Sequence, residues 1–221
     1  MRAILLAAGR GKRLGNLTKE IPKPLIKVNG VPLIERNIKY LKENNISEIV
    51  INVSYLSDKI ISAIGDGSRF GVKIFYSIEK PEPFDTGGGI LNTINFFKNE
   101  NFLVLNSDVL IDYKIINNEI SSGNLCKIIL TKNPSHNKKG DFSLNGKKVL
   151  SGNNNNLTYT GLSILNPKLF KDINDKIFSL KSVFDKAIKL EKIEGEFYDG
   201  KWVDVGTLER VKIAESLFLC N

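Results

Sequence analysis

The chain has 221 residues, of which 42% are hydrophobic and 25% are charged, a composition typical of globular proteins. No apolar run approaches the length of about 20 residues that a membrane-spanning helix needs, which argues against a membrane protein. Two cysteines are too few for a disulfide framework or a zinc site, so a reducing cytoplasm is the expected compartment. The short apolar N-terminus is followed at once by Arg10, Lys12 and Arg13, and we interpret it as a buried strand, not as a signal peptide.

The charge balance of 32 basic and 24 acidic residues gives a formal charge of +8. This surplus favours anionic partners, which include nucleic acids, anionic lipids and phosphorylated metabolites. A nucleic-acid interface usually concentrates its basic residues with stacking aromatics, whereas these lysines are scattered over the chain. We therefore expect no nucleic-acid or membrane partner, and most of the surplus lysines should lie on the solvated surface.

Short apolar runs alternate with stretches of helical periodicity, and this pattern predicts an α/β fold with a parallel sheet wrapped by helices. Strands are predicted at residues 2–6, 48–53, 72–76, 102–105, 125–131 and 157–165. Helices are predicted at 32–43, at 57–64, from Gly88 or Gly89 onward, from about Asp112, at 180–190 and at 207–219. Asn145-Gly146 predicts a hairpin turn, and the Asn-rich segment 151–156 predicts an exposed loop. Without repeats or a linker, residues 1–221 are expected to form one domain.

A glycine-rich segment, Leu5-Leu6-Ala7-Ala8-Gly9-Arg10-Gly11-Lys12-Arg13-Leu14, follows the first predicted strand directly. Its small residues let the backbone approach a ligand, and its N–H groups with Lys12 and Arg13 can bind phosphate. It is not the dinucleotide fingerprint, because Leu14 takes the place of the last glycine. On its own the segment could also be a simple tight turn. A phosphate contact is favoured by Pro22-Lys23-Pro24, whose prolines stiffen the backbone that carries the Lys23 ammonium.

Together these motifs resemble the signature of the sugar-1-phosphate nucleotidyltransferases, L-A-A-G-x-G-x-R-L followed by P-L-T and P-K-P-L. One position departs from it, since Asn16 replaces the proline of P-L-T. The resemblance implies a Rossmann-like three-layer α/β sandwich with a mostly parallel central sheet, the nucleotide-diphospho-sugar transferase fold. It also implies roles for single residues. Ala8, Gly9 and Gly11 would line the nucleotide, Arg13 would bind its triphosphate, and Lys23 would bridge the reacting phosphates.

Two aspartates complete the motif set. Asp108 follows the apolar run 102–107 at the carboxyl end of a predicted central strand, where α/β sheets bind ligands. Asp204 precedes the last predicted helix. From the residues alone, both could be caps or turn residues. The resemblance implies that Asp108 and Asp204 hold Mg²⁺, that Asp108 is catalytic together with Arg13 and Lys23, and that the segment around Gly88 reads the nucleobase. A purely structural glycine cluster is the alternative for Gly88.

Several segments narrow the resemblance to the N-acetylmuramate-1-phosphate uridylyltransferases of cell-wall recycling. They are Gly65-Asp66-Gly67-Ser68-Arg69-Phe70-Gly71, Asn133-Pro134-Ser135-His136, Gly140-Asp141-Phe142 and residues 202–210. This resemblance implies the transfer of a uridylyl group from UTP to N-acetylmuramate α-1-phosphate with release of pyrophosphate. Candidate sugar contacts are Gly140, Asp141, Thr160 and Gly161. His136 is interpreted as a loop residue, because a sugar phosphate is already ionised near pH 7 and needs no general base.

Three alternatives stay open. The chain could be another member of the same family that uses mannose-, heptose- or glucose-1-phosphate with GTP or dTTP, although the pair Ala7-Ala8 is more typical of pyrimidine users. It could be a non-catalytic nucleotide-sugar sensor, which would be expected to lack Arg13, Lys23 or a metal carboxylate. An RNA-binding module is the third alternative, and the scattered charge weakens it. The oligomeric state is open between monomer and dimer.

Overall fold

The computed structural model describes residues 1–115, 119–153 and 155–219. Thirteen strands occur in these ranges: β1 (Arg2–Leu6), β2 (Lys27–Val28), β3 (Val31–Pro32), β4 (Glu48–Val53), β5 (Lys73–Ile78), β6 (Phe102–Asn106), β7 (Val109–Ile111), β8 (Cys126–Lys132), β9 (Ser143–Asn145), β10 (Lys148–Leu150), β11 (Leu157–Leu165), β12 (Ile193–Phe197) and β13 (Trp202–Asp204). The α-helices of the same ranges are α1 (Leu17–Glu20), α2 (Leu33–Glu43), α3 (Ser57–Ile64), α4 (Asp85–Asn92), α5 (Leu180–Lys189) and α6 (Leu208–Leu217). None of them is long and apolar enough to cross a membrane.

The central sheet has nine strands within the described ranges, in the order β5-β4-β1-β6-β11-β8-β12-β10-β9. Strands β5, β4, β1 and β6 are mutually parallel, and β12 is parallel to β8. Only β11 and β10 run against the common direction. The sheet is therefore mostly parallel, which confirms the predicted fold class.

Helices cover both faces of this sheet. On one face, Ile34, Ile38 and Leu41 of α2 pack with Ala3 and Leu5 of β1 in one buried cluster. On the other face, a second cluster joins Ile4 of β1 to α4 and α5, with Ile90 and Phe184 fully buried or nearly so. Neighbouring β1 residues thus point to opposite clusters, as the alternation of side chains along a strand requires. The result is the expected three-layer arrangement.

A separate two-stranded sheet connects distant parts of the chain. Its strands β7 and β13 are antiparallel, with Val109 opposite Asp204, and the Val205 N–H donates to the Asp108 carbonyl at 2.7 Å. Buried apolar residues of the N-terminal third, β7, β13 and α6 cover this sheet, among them Leu33, Leu110 and Ala214. The segment around Asp204 is therefore tied to the end of β6, where Asp108 lies.

Most of the predicted elements are confirmed, and the differences have local causes. Strands 2–6, 48–53 and 157–165 and helix 57–64 have the predicted bounds, and Asn145-Gly146 does begin the turn between β9 and β10. Helix α4 begins at Asp85, before the predicted glycines. The predicted helix from Asp112 is wrong for residues 112–115, which are not helical. There the Tyr113 carbonyl accepts a hydrogen bond from the Tyr40 hydroxyl of α2. The predicted continuation at 116–118 lies outside the described residues. In segment 151–156, residue 154 also lies outside them.

Candidate active site

A cleft of about 730 Å³ opens at the carboxyl ends of β1, β4 and β6. We call it the main cleft; its lining consists of residues 6–13, Lys23, Pro24, Asn52, Pro83, Asp85, Thr86, 106–108 and Gly206. A smaller hollow of about 430 Å³, the side pocket, shares Arg13, Asn106 and Asp108 with it. The rest of the side pocket consists of Val109, His136, Asn137, Asp141, 158–161, Trp202 and Asp204. Two ligands bound in the two spaces would therefore meet at Arg13 and Asp108.

The glycine-rich segment forms one wall of the main cleft, so that Ala8, Gly9 and Gly11, the residues predicted to line the nucleotide, all border this cleft. Gly11 has a φ of +65°, and a Cβ atom there would lie 3.0 Å from side-chain carbons of Lys23 and Thr18. A side chain at this position would thus be both strained and crowded. Glycine keeps the loop against Lys23 and leaves its backbone open to a ligand.

Arg13 lies on a single 3₁₀ turn after this loop and is exposed. In the part of the chain that the structure describes, no acidic side chain forms an ion pair with it. Its guanidinium borders both the main cleft and the side pocket. Arg13 therefore offers an uncompensated positive charge where the two spaces join, and a guanidinium suits phosphate oxygens well.

Lys23 and Asp108 are 85 residues apart in sequence, and the structure brings them into a direct ion pair. Pro22 holds an extended conformation before a 3₁₀ turn that starts at Lys23. Asp108 is held by its neighbour Ser107, whose N–H and hydroxyl both donate to the Leu6 carbonyl. The two charged side chains are only 11% and 26% exposed. Each charge therefore neutralises the other at the floor of the cleft.

Asp204 is engaged by two basic side chains. Nη1 of Arg210 donates to both carboxylate oxygens, at 2.9 and 2.7 Å. His136 Nε2 lies 2.9 Å from Asp204 Oδ1. His136 is in a loop, as predicted, but its contact with Asp204 was not predicted. Arg210 was not singled out either, because nothing local in the sequence marks an arginine inside a helix as a partner of the preceding turn.

Asp108 and Asp204 both line the side pocket, which the pairing of β7 with β13 explains. Among the described residues, no group of three or more His, Cys, Asp or Glu side chains could form a complete metal cage. Two carboxylates facing a pocket suit Mg²⁺, which usually keeps several waters and adds oxygens from substrate phosphates. The donor set therefore fits the ion that the resemblance implies, with Asp108 and Asp204 as its protein ligands.

The structure does not bring Gly88 to the cleft. The N–H groups of Gly87 and Gly88 both donate to the Phe178 carbonyl, and a Cβ atom on Gly88 would lie 2.1 Å from the Lys176 carbonyl oxygen. Because α4 begins at Asp85, the glycines lie inside the helix and pack against the segment before α5. Asp85 and Thr86 are the residues of this motif that line the main cleft.

Of the four predicted sugar contacts, Asp141, Thr160 and Gly161 line the side pocket. The Asp141 carboxylate accepts hydrogen bonds from Asn137 Nδ2 and the Tyr159 N–H. Thr160 is fully buried, and its hydroxyl donates to the Ile129 carbonyl. The fourth residue, Gly140, is absent from the pocket lining that the structure describes; it has a φ of +63° in the turn before Asp141.

A series of buried hydrogen bonds, which was not predicted from the sequence, links the walls of the main cleft. Asn52 accepts from the Ala7 N–H at 2.8 Å and donates to Glu79 at 2.7 Å, and the other Glu79 oxygen accepts from the Phe84 N–H. Glu79 is 1% exposed, and this burial raises the pKa of its carboxyl above the ordinary value. These hydrogen bonds couple the glycine-rich loop to the segment that precedes α4. Gly89 leaves room for them, because a Cβ atom there would lie about 2.5 Å from both Asn52 and Glu79.

Comparison with known proteins agrees with this geometry. The nucleotidyl transferase family model matches residues 2–216. The chain is 38% identical over 226 aligned residues to the N-acetylmuramate alpha-1-phosphate uridylyltransferase of Neisseria meningitidis serogroup B, with 98% of each chain covered. It is 31% identical to the D-glycero-alpha-D-manno-heptose 1-phosphate guanylyltransferase of Campylobacter jejuni, with 95% of this chain and 96% of the relative covered. The solved inositol-1-phosphate CTP transferase of T. maritima has the same fold, with a TM-score of 0.82 at 20% identity and 98% and 94% of the two chains covered. The chain therefore belongs to the nucleotidyl transferase family.

Proposed function

We propose that residues 1–221 act as one domain that transfers a uridylyl group from UTP to N-acetylmuramate α-1-phosphate, releasing pyrophosphate. The observation that carries this proposal is the junction of the main cleft and the side pocket at Arg13 and Asp108. Two spaces that meet at a free cation and a carboxylate suit two phosphate-bearing substrates that must react with each other. The choice of uridylyl and muramate is supported by the 38% identical relative from Neisseria meningitidis.

The proposed reaction is a single in-line displacement. An oxygen of the sugar phosphate attacks the α-phosphorus of the nucleotide, and pyrophosphate leaves on the opposite side, so no covalent enzyme intermediate is needed. The main barrier is the repulsion between two polyanions and the entropy of aligning them. Arg13 would bind the triphosphate, and the Lys23 ammonium would turn from Asp108 to the phosphates. Positive charge brought to the phosphates in this way stabilises the negative charge of the transition state.

A Mg²⁺ ion bound by Asp108 and Asp204 would supply further neutralisation of the phosphates and orient them. The chain's own contribution is to hold the two carboxylates at one pocket through the β7–β13 ladder. The side pocket would take the sugar, with Asp141 and the backbone around Thr160 and Gly161 as its polar contacts. We further propose a cytoplasmic location and a role in peptidoglycan recycling, which the resemblance to the cell-wall recycling enzymes supports. The oligomeric state is proposed as monomer or dimer.

A second candidate is a guanylyltransferase that acts on a heptose 1-phosphate. It is favoured by the 31% identical relative from Campylobacter jejuni, which is covered almost completely. The candidate keeps the same roles for Arg13, Lys23 and Asp108 and differs only in the base and the sugar. The non-catalytic sensor is disfavoured, because this chain retains all the charged residues that the reaction needs.

Pyrophosphate release by the purified chain in the presence of Mg²⁺ tests the proposal. UTP, dTTP, GTP and CTP are each combined with the 1-phosphates of N-acetylmuramate, N-acetylglucosamine, glucose, mannose and the heptose. We expect strong turnover only with UTP and N-acetylmuramate 1-phosphate, and loss of this turnover in Asp108→Asn. A preference for GTP with the heptose phosphate would replace the first candidate by the second. UTP binding without any turnover would support the sensor.

A further inference from the structure

Arg210 is a buried guanidinium with one acidic partner among the described residues. It lies in the first turn of α6, its side chain is 7% exposed, and that partner is Asp204. Arginine has five donors, and a buried one normally uses most of them. Here Nη1 donates to both oxygens of Asp204, while Nε is buried without a hydrogen-bond partner in the described part of the chain. The guanidinium is thus committed to the carboxylate and incompletely satisfied elsewhere.

The same group also reaches the wall of the main cleft. A Cβ atom built on Gly206 would lie 2.1 Å from Nη2 of Arg210 and 3.4 Å from Nη2 of Arg13. Gly206 itself lines the main cleft. The two guanidinium groups therefore lie against the same small patch of backbone, one exposed to the cleft and one behind it. An anion that Arg13 binds would also come close to Arg210.

The Asp204 carboxylate cannot accept both hydrogen bonds from Arg210 and at the same time coordinate a divalent cation with full strength. With both oxygens accepting from Nη1, a cation must take at least one oxygen away from the guanidinium. The cation would then also lie next to a fixed positive charge, and the repulsion between them is strong in a partly buried site. A phosphate group changes this balance, because it brings negative charge to both the cation and the guanidinium. It also offers Arg210 a new acceptor.

We infer that Arg210 is a positioning residue that occupies the Asp204 carboxylate in the substrate-free chain, so that a divalent cation binds there tightly only together with a phosphate-bearing substrate. This inference rests on the proposed function, since it takes Asp204 as a ligand of the cation. The two ligands therefore bind cooperatively, and the cation is held weakly until the phosphate is present.

The test is Mn²⁺ binding to the chain without nucleotide or sugar, measured by electron paramagnetic resonance of the free ion. Titrations are run with and without methyl phosphate as a simple phosphomonoester. Coupling between two ligands typically amounts to about 5- to 150-fold in affinity. For the wild type we expect methyl phosphate to tighten Mn²⁺ binding about tenfold. In Arg210→Gln, Mn²⁺ alone should bind about tenfold more tightly than to the wild type, and methyl phosphate should add little.

Three further variants separate this role from a purely structural one. Arg210→Lys keeps a cation, so we expect Mn²⁺ binding close to that of the wild type. Gly206→Ala displaces the Arg210 guanidinium without removing its charge from the chain, and should tighten Mn²⁺ binding even if Arg210→Gln folds poorly. The matched control is Arg2→Gln, which breaks the partly buried ion pair between Arg2 and Glu48 at 2.9 Å. It should leave Mn²⁺ binding unchanged.

Unchanged or weaker Mn²⁺ binding in folded Arg210→Gln and Gly206→Ala would overturn the inference, because Arg210 would then serve only to orient Asp204. Absence of Mn²⁺ binding in both the wild type and Arg210→Gln would also overturn it, since Asp204 would not be a cation ligand. Neither result depends on which base or sugar the enzyme uses. The choice of substrates is tested separately by pyrophosphate release.

Discussion

Replacing Lys23 by alanine is the most direct test of the charge that the main cleft presents. Removing one preorganised electrostatic contact typically lowers kcat by about 10²- to 10³-fold, or about 2.7–4 kcal/mol of transition-state stabilisation. We expect Lys23→Ala to lose turnover by this factor at saturating substrates. The effect on folding should be moderate: the ion pair is partly buried, but Asp108 is 26% exposed and faces the cleft, so water can partly solvate it once Lys23 is gone. We expect a stability loss of about 1–3 kcal/mol, and each kcal/mol corresponds to about 2–4 °C in Tm.

The assay is pyrophosphate release at saturating UTP and sugar phosphate, with Tm followed by circular dichroism. Lys127→Ala is the matched control, because Lys127 is 16% exposed and forms an ion pair with Glu196 at 2.5 Å, away from the main cleft. The control should show a similar change in Tm with unchanged kcat. The reasoning would be refuted by a folded Lys23→Ala whose kcat stays within about threefold of the wild type. It would be refuted equally by the same loss of kcat in Lys127→Ala.

Three other changes test the site and its supports. Asp108→Asn keeps the shape of the side chain but removes its charge; we expect kcat to fall at least about 10²-fold, and a normal rate at raised Mg²⁺ would contradict the assignment. Because burial raises the pKa of Glu79, the folded chain binds this proton more tightly than the unfolded chain, and stability is lost as the pH rises between the two pKa values. Glu79→Gln lacks this loss, so urea unfolding should show the variant gaining stability relative to the wild type from pH 4 to pH 8; a constant difference would argue against a buried titrating carboxyl. Gly88→Ala forces a Cβ against the Lys176 carbonyl and should cost about 1–3 kcal/mol, whereas Gly152→Ala, with open space around it, should have almost no effect in the same unfolding experiment.

Elements and site residues could be predicted from the sequence where their contacts are made within a short stretch of the chain. Strands β1 and β4 had the predicted bounds, because a strand buried on both faces needs a nearly continuous apolar run. Gly65 follows the last residue of α3 with a φ of +68°, a conformation that glycine adopts readily, so the end of this helix was also recognisable from the sequence. The glycine-rich loop and the proline-flanked Lys23 were likewise recognisable, because Gly11 and Lys23 are close in the sequence and lie against each other in the structure.

Contacts between distant segments could not be predicted in the same way. Strands β7 and β13 have three residues each, too few for an alternating pattern to show. The contacts of Asp204 with His136 and Arg210 depend on where β13 lies, so the sequence offered no signal for them. Gly88 shows a different limit. The sequence of a glycine cluster does not show whether the glycines face a ligand or pack against a neighbouring carbonyl. Here the position at which α4 begins determines that they pack.

The ladder between β7 and β13 has a consequence for the dynamics of the candidate active site. A ladder of three residues per strand has few hydrogen bonds, and such small units can open by local unfolding at a lower free energy than the central sheet does. Such an opening would part Asp108 from Asp204 while leaving the glycine-rich loop on β1 intact. The fraction of molecules that hold both carboxylates together is then governed by its own opening equilibrium, separate from global denaturation. Hydrogen exchange at the Val205 amide, which donates to the Asp108 carbonyl, reports this opening equilibrium directly.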